Sequence, residues 1–522
     1  MHIKDLLLSD FKWELKPLNE KLIAAAREKL NSVPLYKQIY NQLKSEYLPV
    51  KKYNFQVEDI QYIEQIFGPS ILKMSIPGLY TAIGYDEIFN KQGTGFIENA
   101  IDQNWVLKNA DAEKGTGDTK ILYDNLQRVY FIDYIQKWAF LLNKLSITPS
   151  KDVHHANKML HRLTSSRENP LKQLLKKIET NTSFLEKSAP FSEELSNNIK
   201  QFKRLNELIK ESGEEPPLLD EIITRLEKLR DLMDRYDASE VALDDLKKRI
   251  RSGGDLITST RKYAEQLPDP FNEWLSSLAA SARKIMLKSA KLELNSIWKA
   301  DVVAPFKETL SGRYPLSKIS SEDVSLDDFN RFFQPNGIID TFLKEHIKPL
   351  SNVDWEEKII DNKKLGIVSA VSLEQFKRSE RIRQIYFMGN RTPSIKFELK
   401  PELLDASAKE FQLTIGGKTI RYSHGRSRTE KFQWPEPDNS PVPVVEWGVK
   451  TFDGNIFQDR KEGPWAWFRA LDSVRLTRKG KNRFIITFTV NGHDARYRMV
   501  AGSVVNPFGS TELQAFHCPG VL

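Results

Sequence analysis

The chain has 522 residues, 40% of them hydrophobic, with 78 lysines and arginines against 70 aspartates and glutamates and a formal net charge of +8. This length exceeds that of one ordinary domain. The single cysteine, Cys518, excludes an intramolecular disulfide and a cysteine-clustered zinc site. The small positive excess permits an anionic partner without requiring one.

Neither a signal peptide nor a membrane span is predicted. The first twenty residues contain no basic segment followed by an apolar region. The most apolar long window, 129–147, includes Asp133, Lys137 and Lys144, which are too many charges for a membrane-spanning helix. The sequence therefore predicts that this chain is soluble.

Apolar residues recur at helical spacing through about the first 380 residues. In two segments they follow one another at steps of three and four, which places them on one helical face. The first stripe comprises Tyr130, Tyr134, Trp138, Leu141, Leu142 and Leu145, and the second Ile222, Leu226, Leu229, Met233 and Tyr236. Both indicate core-facing helices rather than a cofactor or nucleic-acid site. Breaks rich in glycine and proline, at 211–217, 251–255 and 266–271, separate the helices.

The pattern changes to strands after about residue 390. Residues 411–422 alternate around Gly416-Gly417, and 483–502 alternate around Asn491-Gly492, two-residue turns that suit a β-hairpin. A strand-like run, 444–452, lies between them. A helix is predicted to begin at Pro464, because proline suits a first helical position and Trp465, Phe468 and Leu471 follow at helical spacing. The last 17 residues show neither period and predict a tail that packs on a partner or on its own domain.

These patterns predict an α+β multidomain protein. Its N-terminal and central regions are expected to be elongated and all-helical, and a C-terminal antiparallel β domain is expected to be sandwich-like. The predicted parts are a helical domain (1–150), a helical bundle or stalk (151–300), a helical domain with a corner (301–390), a β domain with one inserted helix (391–505) and a tail (506–522).

A search for catalytic groups finds no anchor for an enzyme. Among the histidines only His154 and His161 share a helical face, whereas a catalytic zinc site needs three protein ligands. The glycine segment 114–120 lacks the spacing of a phosphate-binding loop. Cys518 stands beside His517, but no third group is evident that would orient the base. The sequence predicts no catalytic residue, no metal and no cofactor.

Two basic clusters in the β region leave nucleic acid as an alternative partner. The first comprises Lys418, Arg421, Arg426, Arg428 and Lys431, and the second Arg475, Arg478, Lys479, Lys481 and Arg483. Aromatic residues interleave with the first cluster, so single strands could bind there by charge and stacking. Exposed strand edges also carry such residues to discourage pairing between sheets. The second interpretation is favoured because the net charge is small, and no nucleic-acid partner is expected.

The segment 312–337 contains four carboxylates and raises the question of a metal site. A calcium loop starting at Asp323 would need glycine where Asp328 stands and glutamate where Gln334 stands. A helix explains the residues better, with Ser325 as N-cap, Asp328 completing a capping box and Val324 packing on Phe329. Phe329, Phe332 and Phe333 then share one buried face, and Pro335, Asn336 and Gly337 end the helix before 338–343 begins another. The segment is interpreted as a corner between helices.

This corner also carries a family resemblance. The segment 312–343 closely resembles part of the C-terminal half of the IcmF (TssM) family, whose members are inner-membrane scaffolds of bacterial type VI secretion systems. The residues that carry the resemblance are Tyr314, Pro315, Phe329, Phe332, Phe333 and Gly337. Other segments are similar to family motifs in the same order. They are 76–89 with 104–107, 130–149, 163–175, 463–472 and the terminal Asn-Pro-Phe and Phe-His-Cys-Pro-Gly runs. The membrane helices and the nucleotide-binding-like domain of the family are not found, so the chain looks like the periplasmic portion.

The resemblance implies a scaffold rather than an enzyme. Family members join the inner-membrane protein TssL to the outer-membrane lipoprotein TssJ and self-associate into a ring, and the lipoprotein binds the C-terminal β region. Basic and aromatic loops around Tyr422, Arg426, Trp434 and Trp447 are therefore predicted to form the partner interface, because arginine and aromatic residues often dominate binding energy. Tyr314, Pro315, Ser325, Asp328, Phe329, Phe332, Phe333 and Gly337 are predicted to be structural.

Overall fold

A computed structural model describes residues 19–31, 33–103, 119–187, 193–211, 216–238, 241–252, 256–350, 367–436 and 443–522. The chain divides into two compact units, Met1–Ala238 with Leu256–Arg283, and Ser239–Asp255 with Lys284–Leu522. The finer division into five parts stays a prediction. Residues 104–107, which resemble a family motif, and most of the glycine segment 114–120 lie outside the described residues.

Helices and strands follow one another as the α+β prediction requires. The helices are α1 (Glu20–Asn31), α2 (Leu35–Tyr47), α3 (Ile63–Phe67), α4 (Ala82–Gly84), α5 (Lys91–Gln103), α6 (Thr119–Lys144), α7 (Val153–Leu163), α8 (Pro170–Thr182), α9 (Glu193–Glu207), α10 (Leu218–Ala238), α11 (Ala242–Ser252), α12 (Leu256–Ala264), α13 (Phe271–Trp298), α14 (Ala304–Thr309), α15 (Leu326–Phe333), α16 (Ile338–Phe342), α17 (Ala370–Tyr386), α18 (Ala466–Ser473) and α19 (Glu512–Ala515). The strands are β1 (Phe55–Gln56), β2 (Ser75–Ile76), β3 (Ile395–Leu404), β4 (Ala408–Ile415), β5 (Lys418–Tyr422), β6 (Glu430–Trp434), β7 (Val444–Thr451), β8 (Ile456–Glu462), β9 (Arg475–Arg478), β10 (Arg483–Val490) and β11 (His493–Ala501).

The core of the first unit is organised around α6. Its predicted stripe is buried, and Tyr130, Tyr134 and Trp138 are each 0% exposed. Each polar tip has a backbone acceptor: Tyr130 Oη donates to Leu79 O at 2.7 Å, Tyr134 Oη to Asn181 O at 2.6 Å and Trp138 Nε1 to Tyr80 O at 2.9 Å. Large aromatic side chains can therefore fill this core without leaving an unpaired donor. The stripe predicted on α10 is buried as well.

The second unit ends in a two-sheet antiparallel sandwich, as predicted. One sheet has the strand order β6-β3-β11-β10-β9 and the other β5-β4-β7-β8. Aromatic rings from both inner faces meet in the core: Phe411 of β4 lies 5.5 Å from Phe488 of β10 and 5.7 Å from Tyr497 of β11, measured between ring centroids. Alternating inward residues of this kind are typical of sandwich cores.

Both predicted hairpins are confirmed, with the predicted turns. Gly416 and Gly417 join β4 to β5, and Asn491 and Gly492 join β10 to β11, and all four residues have positive φ. Two consecutive positive φ values match the twist of the paired strands, which explains the preference for glycine and asparagine there. The inserted helix is α18, which begins at Ala466, two residues after Pro464.

The C-terminal tail packs on helices of its own unit. Leu522 is 2% exposed, and its backbone N–H donates to Asn295 Oδ1 at 2.8 Å. Trp298 Nε1 donates to Pro519 O at 2.7 Å. Glu512 of α19 forms ion pairs with Arg378 at 3.2 Å and Arg381 at 2.9 Å. The sequence left open whether the tail packs on a partner or on its own domain, and the structure shows it packed on helices of its own unit.

Candidate interaction site

The corner at 312–337 begins with a capped helix. Ser325 is the N-cap of α15, and its Oγ accepts a hydrogen bond from the backbone N–H of Asp328 at 3.1 Å. The same hydroxyl donates to Asp328 Oδ2 at 2.6 Å. The Asp328 carboxylate therefore bonds to the Ser325 hydroxyl. In a full capping box it would instead accept a hydrogen bond from the backbone N–H of the N-cap residue. The negative charges of Asp327 and Asp328 also lie at the positive end of the helix dipole.

The apolar face of α15 joins three parts of the second unit. Phe329, Phe332 and Phe333 are 0% exposed. The ring of Phe329 lies 5.1 Å from that of Trp465, at the start of α18 in the β domain. The ring of Phe333 lies 5.2 Å from that of Phe516 in the tail. A single short helix therefore holds the helical segments, the β domain and the tail together.

Tyr314 fastens the loop before α15 to the β domain. Its backbone N–H donates to Glu322 O and its carbonyl accepts from Val324 N–H, both at 2.8 Å, which closes the loop. Its hydroxyl donates to Asp472 Oδ2 at 2.9 Å. The carbonyl of the next residue, Pro315, accepts from Gln514 Nε2 at 3.0 Å. The loop is thus tied both to α18 and to the tail.

The carboxylates of this segment serve as structural partners. Asp323 accepts from Arg469 Nε at 2.8 Å, and Glu322 pairs with Arg313 at 3.6 Å. Trp465 Nε1 donates to Val324 O at 2.7 Å. These acids have basic partners beside them, so the interpretation of the segment as a corner is consistent with every contact described. In the part of the chain that the structure describes, no group of three or more histidine, cysteine, aspartate or glutamate residues could hold a metal ion.

The end of the corner is shaped by close backbone packing. Asn336 has a φ of 60°, and Gly337 has a φ of −74°, so the left-handed residue is the asparagine. A Cβ on Gly337 would lie 2.7 Å from Arg331 O and 2.9 Å from Gln334 O. Glycine is needed there because the preceding helix turn passes too close for any side chain.

Asp340 stabilises the end of the corner through ion pairs and a backbone hydrogen bond. Its carboxylate accepts from Asn336 N–H at 2.8 Å and pairs with Lys344 at 2.7 Å and with Arg383 at 2.9 Å. Burial raises the pKa of Asp340, but the hydrogen bonds from Lys344 and Asn336 and the charge of Arg383 outweigh it, so the pKa lies below the ordinary value. The acid is therefore held ionised beneath the corner.

The predicted partner-interface residues separate into two kinds. Arg426 is exposed and Tyr422 is half-buried on edge strand β5 and the loop after it. Trp434 and Trp447 are 5% and 2% exposed. The prediction that these two tryptophans belong to exposed loops is wrong, because both lie on strands and point into the core. Trp434 Nε1 donates to Pro464 O at 2.9 Å, and the ring of Trp447 lies 5.6 Å from that of Phe488.

The first basic cluster is partly neutralised. Lys418 Nζ lies 2.7 Å from Glu430 Oε2 and 5.2 Å from the centroid of the Phe432 ring. Lys431 Nζ lies 3.8 Å from Glu398. The cluster therefore offers fewer free charges than its sequence indicates, although Arg426 and Arg428 remain exposed.

An apolar hairpin tip was not identified from the sequence. Phe452 and Ile456, on either side of the turn between β7 and β8, are 66% and 60% exposed. The backbone N–H of Thr451 donates to Asn455 O at 3.0 Å, and its hydroxyl donates to Asp453. The tip is thus a closed turn that presents two large apolar side chains. The Asp453-Gly454 pair was the signal that could have located it.

Three family models match the chain in order. The IcmF-related model (intracellular multiplication and human macrophage-killing) matches residues 2–183, the type VI secretion protein IcmF helical domain matches 289–387, and the type VI secretion protein IcmF C2-like domain matches 397–503. The two basic clusters and the hairpin tip all lie within the last of these ranges.

The chain is also similar to known type VI secretion proteins. The type VI secretion system component TssM1 of Pseudomonas aeruginosa is 27% identical over 556 residues, covering 96% of this chain and 49% of that protein. The chain thus spans about half the length of this relative. Among described helices, none is long and apolar enough to cross a membrane.

Solved structures share the fold. A chain of a type VI secretion system membrane core complex superposes with a TM-score of 0.67 at 18% identity, covering 93% of this chain and 98% of that one. A chain of a type VI membrane complex gives a TM-score of 0.65 at 16% identity, covering 95% and 93%. These structures show the shared fold, and the three family models matched in order show that the chain belongs to the IcmF family of type VI secretion proteins.

Proposed function

We propose that the chain is a structural component of a type VI secretion membrane complex. The main observation in support is that three IcmF family models match the chain one after another along its sequence. The relative from Pseudomonas aeruginosa is itself a type VI secretion component, and the solved structures with this fold come from type VI membrane complexes. The proposed role is that of a scaffold without catalytic activity, in the periplasm.

The proposed partner of the β domain is the outer-membrane lipoprotein TssJ. Three features support this proposal: the exposed arginines after β5, the half-buried Tyr422 beside them, and the apolar tip formed by Phe452 and Ile456. A surface that combines arginine, tyrosine and exposed apolar side chains has the composition of binding hot spots. The corner supports the same role, because it fixes the sandwich to helices that could transmit load.

The inner-membrane protein TssL and further copies of this chain complete the proposed assembly. Membership in the IcmF family supports both proposals, with self-association into a ring as the proposed arrangement. Many weak contacts repeated around a ring would add to one stable complex.

Titration of the chain with the soluble part of TssJ tests the proposal. Isothermal titration calorimetry is expected to detect a complex, and hydrogen exchange is expected to slow within 391–522. Tyr422→Ala with Arg426→Ala, and separately Phe452→Ser with Ile456→Ser, are the interface variants. At least one pair is expected to weaken binding about tenfold or more, which corresponds to about 1.4 kcal/mol.

The matched control is Lys479→Ala with Lys481→Ala, since both lysines are exposed on the same domain, between β9 and β10 of the sheet that contains neither β5 nor the tip. This control is expected to bind as the unchanged chain does. Absence of a complex, together with strongly salt-dependent binding of single-stranded DNA, would overturn the scaffold proposal in favour of a nucleic-acid-binding protein. Protection confined to residues outside 391–522 would contradict the assignment to the β domain.

A further inference from the structure

The second basic cluster forms an exposed ridge at one edge of the sandwich. Residues 475–483 contain five lysines and arginines and no acid. They form β9, the last strand of the five-stranded sheet, the turn after it and the first residue of β10. All five basic side chains are exposed, and we call Arg475, Arg478, Lys479, Lys481 and Arg483 the basic ridge.

The basic ridge differs from the first cluster in its lack of acidic partners. Among the residues that the structure describes, none of its five side chains lies in an ion pair, whereas Lys418 pairs with Glu430 and Lys431 with Glu398. The turn is nevertheless ordered, because Arg478 donates to Gly480 O at 3.0 Å and Lys479 N–H donates to Arg483 O at 2.9 Å. The backbone of the ridge is thus ordered, and its five positive charges have no acidic partner among the described residues.

An apolar loop lies directly beside the ridge. Val504 and Val505 are 56% and 48% exposed. Asn482 and Ala501 exchange hydrogen bonds, with Ala501 N–H donating to Asn482 O at 2.8 Å and Asn482 Nδ2 donating to Ala501 O at 3.2 Å. We call 502–506 the valine loop.

The valine loop is held in place from both sides. Asn506 Nδ2 donates to Lys481 O at 3.4 Å and to Ser503 O at 3.0 Å. Asn506 Oδ1 accepts from Phe508 N–H at 3.1 Å, and the Phe508 side chain is 3% exposed. Buried Phe508 therefore anchors the loop, while two apolar side chains stay in water next to the basic ridge.

We propose that the basic ridge and the valine loop together form a docking surface for an anionic lipid bilayer. Lysine and arginine at a membrane surface are attracted to anionic headgroups, and adjacent exposed apolar side chains can enter the boundary between headgroups and acyl chains. This inference goes beyond the proposed scaffold function and does not depend on TssJ binding.

Two alternative explanations account for only part of these features. Protection of a sheet edge requires charge, and exposed valines beside the charge work against it. Single-stranded nucleic acid favours aromatic platforms, yet residues 475–483 and 502–506 contain no aromatic residue. Charge and exposed aliphatic side chains together match a lipid surface.

Sedimentation with vesicles tests this proposal on the full chain. The vesicles are phosphatidylcholine alone and phosphatidylcholine with about one third phosphatidylglycerol. Binding is expected only to the anionic vesicles. Each basic residue near such a surface changes partitioning about fivefold, so Lys479→Ala with Lys481→Ala is expected to weaken binding by about tenfold or more. Val504→Ser with Val505→Ser is expected to weaken it by at least about threefold.

Lys409→Ala with Lys450→Ala removes the same charge from the other sheet and is expected to leave vesicle binding unchanged. Each variant is first checked for an unchanged melting temperature, and Lys479→Gln with Lys481→Gln replaces the ridge alanine pair if that pair unfolds. The proposal is overturned if anionic vesicles do not bind, or if the control weakens binding as much as the ridge variant. It is also overturned if the valine variant binds vesicles fully, because the surface would then be a general polyanion site that single-stranded DNA should also occupy.

Discussion

The guanidinium of Arg469 lies over the ring of Tyr314, with 4.0 Å between the guanidinium carbon and the ring centroid. The same arginine donates to Asp323, and the hydroxyl of Tyr314 donates to Asp472. Two residues of the β domain and two of the preceding loop thus form one polar cluster. Because Tyr314, Arg469 and Asp323 are largely shielded from water, although Asp472 is exposed, the contacts of Arg469 should matter more for stability than a surface ion pair would.

Arg469→Ala is expected to lower the free energy of unfolding by about 2–4 kcal/mol, because it leaves the carboxylate of Asp323 without its partner. Tyr314→Phe should lower it by only about 1 kcal/mol, the worth of one hydrogen bond. Urea unfolding followed by tryptophan fluorescence measures both. Arg475→Ala, which removes an exposed arginine of the same unit, is the control and should stay within about 0.5 kcal/mol. Equal effects for the two arginines would contradict the role given to Arg469.

The corner could be predicted from the sequence because its signals are local. Ser325 and Asp328 are three residues apart, and Phe329, Phe332 and Phe333 follow at helical spacing, so cap and buried face can be read together. The partners of this face could not be predicted. Trp465 and Phe516 are more than a hundred residues away in the chain, and no local pattern specifies a distant contact.

Gly337, which is predicted to be structural, has a specific physical reason to be glycine. The left-handed residue at the end of α15 is Asn336, and Gly337 has a negative φ. Gly337 is required because of the nearby carbonyl of Arg331. Gly337→Ala is expected to destabilise the chain by about 1–3 kcal/mol, and Gly337→Val by more.

Thermal unfolding of Gly337→Ala and Gly425→Ala, side by side, provides the measurement. At Gly425 an added Cβ would have its nearest neighbour, Ser423 O, 3.9 Å away, and that variant should be close to neutral. A melting temperature for Gly337→Ala equal to that of the unchanged chain would show that the corner can relax around a side chain.

The β domain shows where sequence patterns become insufficient. Its hairpins were predictable because their two-residue turns need positive φ, which favours glycine and asparagine. The burial of Trp434 and Trp447 depends instead on which face of each strand meets the rest of the core. Alternation identifies two faces but does not distinguish inside from outside when both carry aromatic residues. The exposed positions of Phe452 and Ile456 were missed for the same reason.

The tail should contribute strongly to the stability of the second unit. Phe516 is 4% exposed and its ring packs against those of Phe306, Phe332 and Phe333. Phe516→Ala is therefore expected to cost about 3–5 kcal/mol. His517→Ala changes the exposed neighbouring side chain and should have little effect on the urea midpoint. If both substitutions were tolerated equally, the tail would not be part of the core.

The charge cluster around Asp340 predicts a defined pH dependence. Its pKa is lower in the folded chain than in the unfolded chain, so on acidification the unfolded state takes up the proton first. The stabilisation is present above the unfolded value of about 4 and is lost as the pH falls through the folded value. Asp340→Asn is expected to lower stability by about 2–3 kcal/mol at pH 7, because Arg383 loses its partner.

The difference between Asp340→Asn and the unchanged chain should therefore shrink as the pH falls from 5 towards 3. Urea midpoints at pH 7, 5, 4 and 3 measure it, and taking the difference at each pH removes the contribution of the other carboxylates. Asp327→Asn is the control, because this exposed acid forms no ion pair among the described residues and lies at the positive end of the helix dipole, so it should give a difference below about 1 kcal/mol throughout. A gap for Asp340→Asn that stays constant down to pH 3 would mean that the carboxylate is not held ionised by Lys344, Asn336 and Arg383.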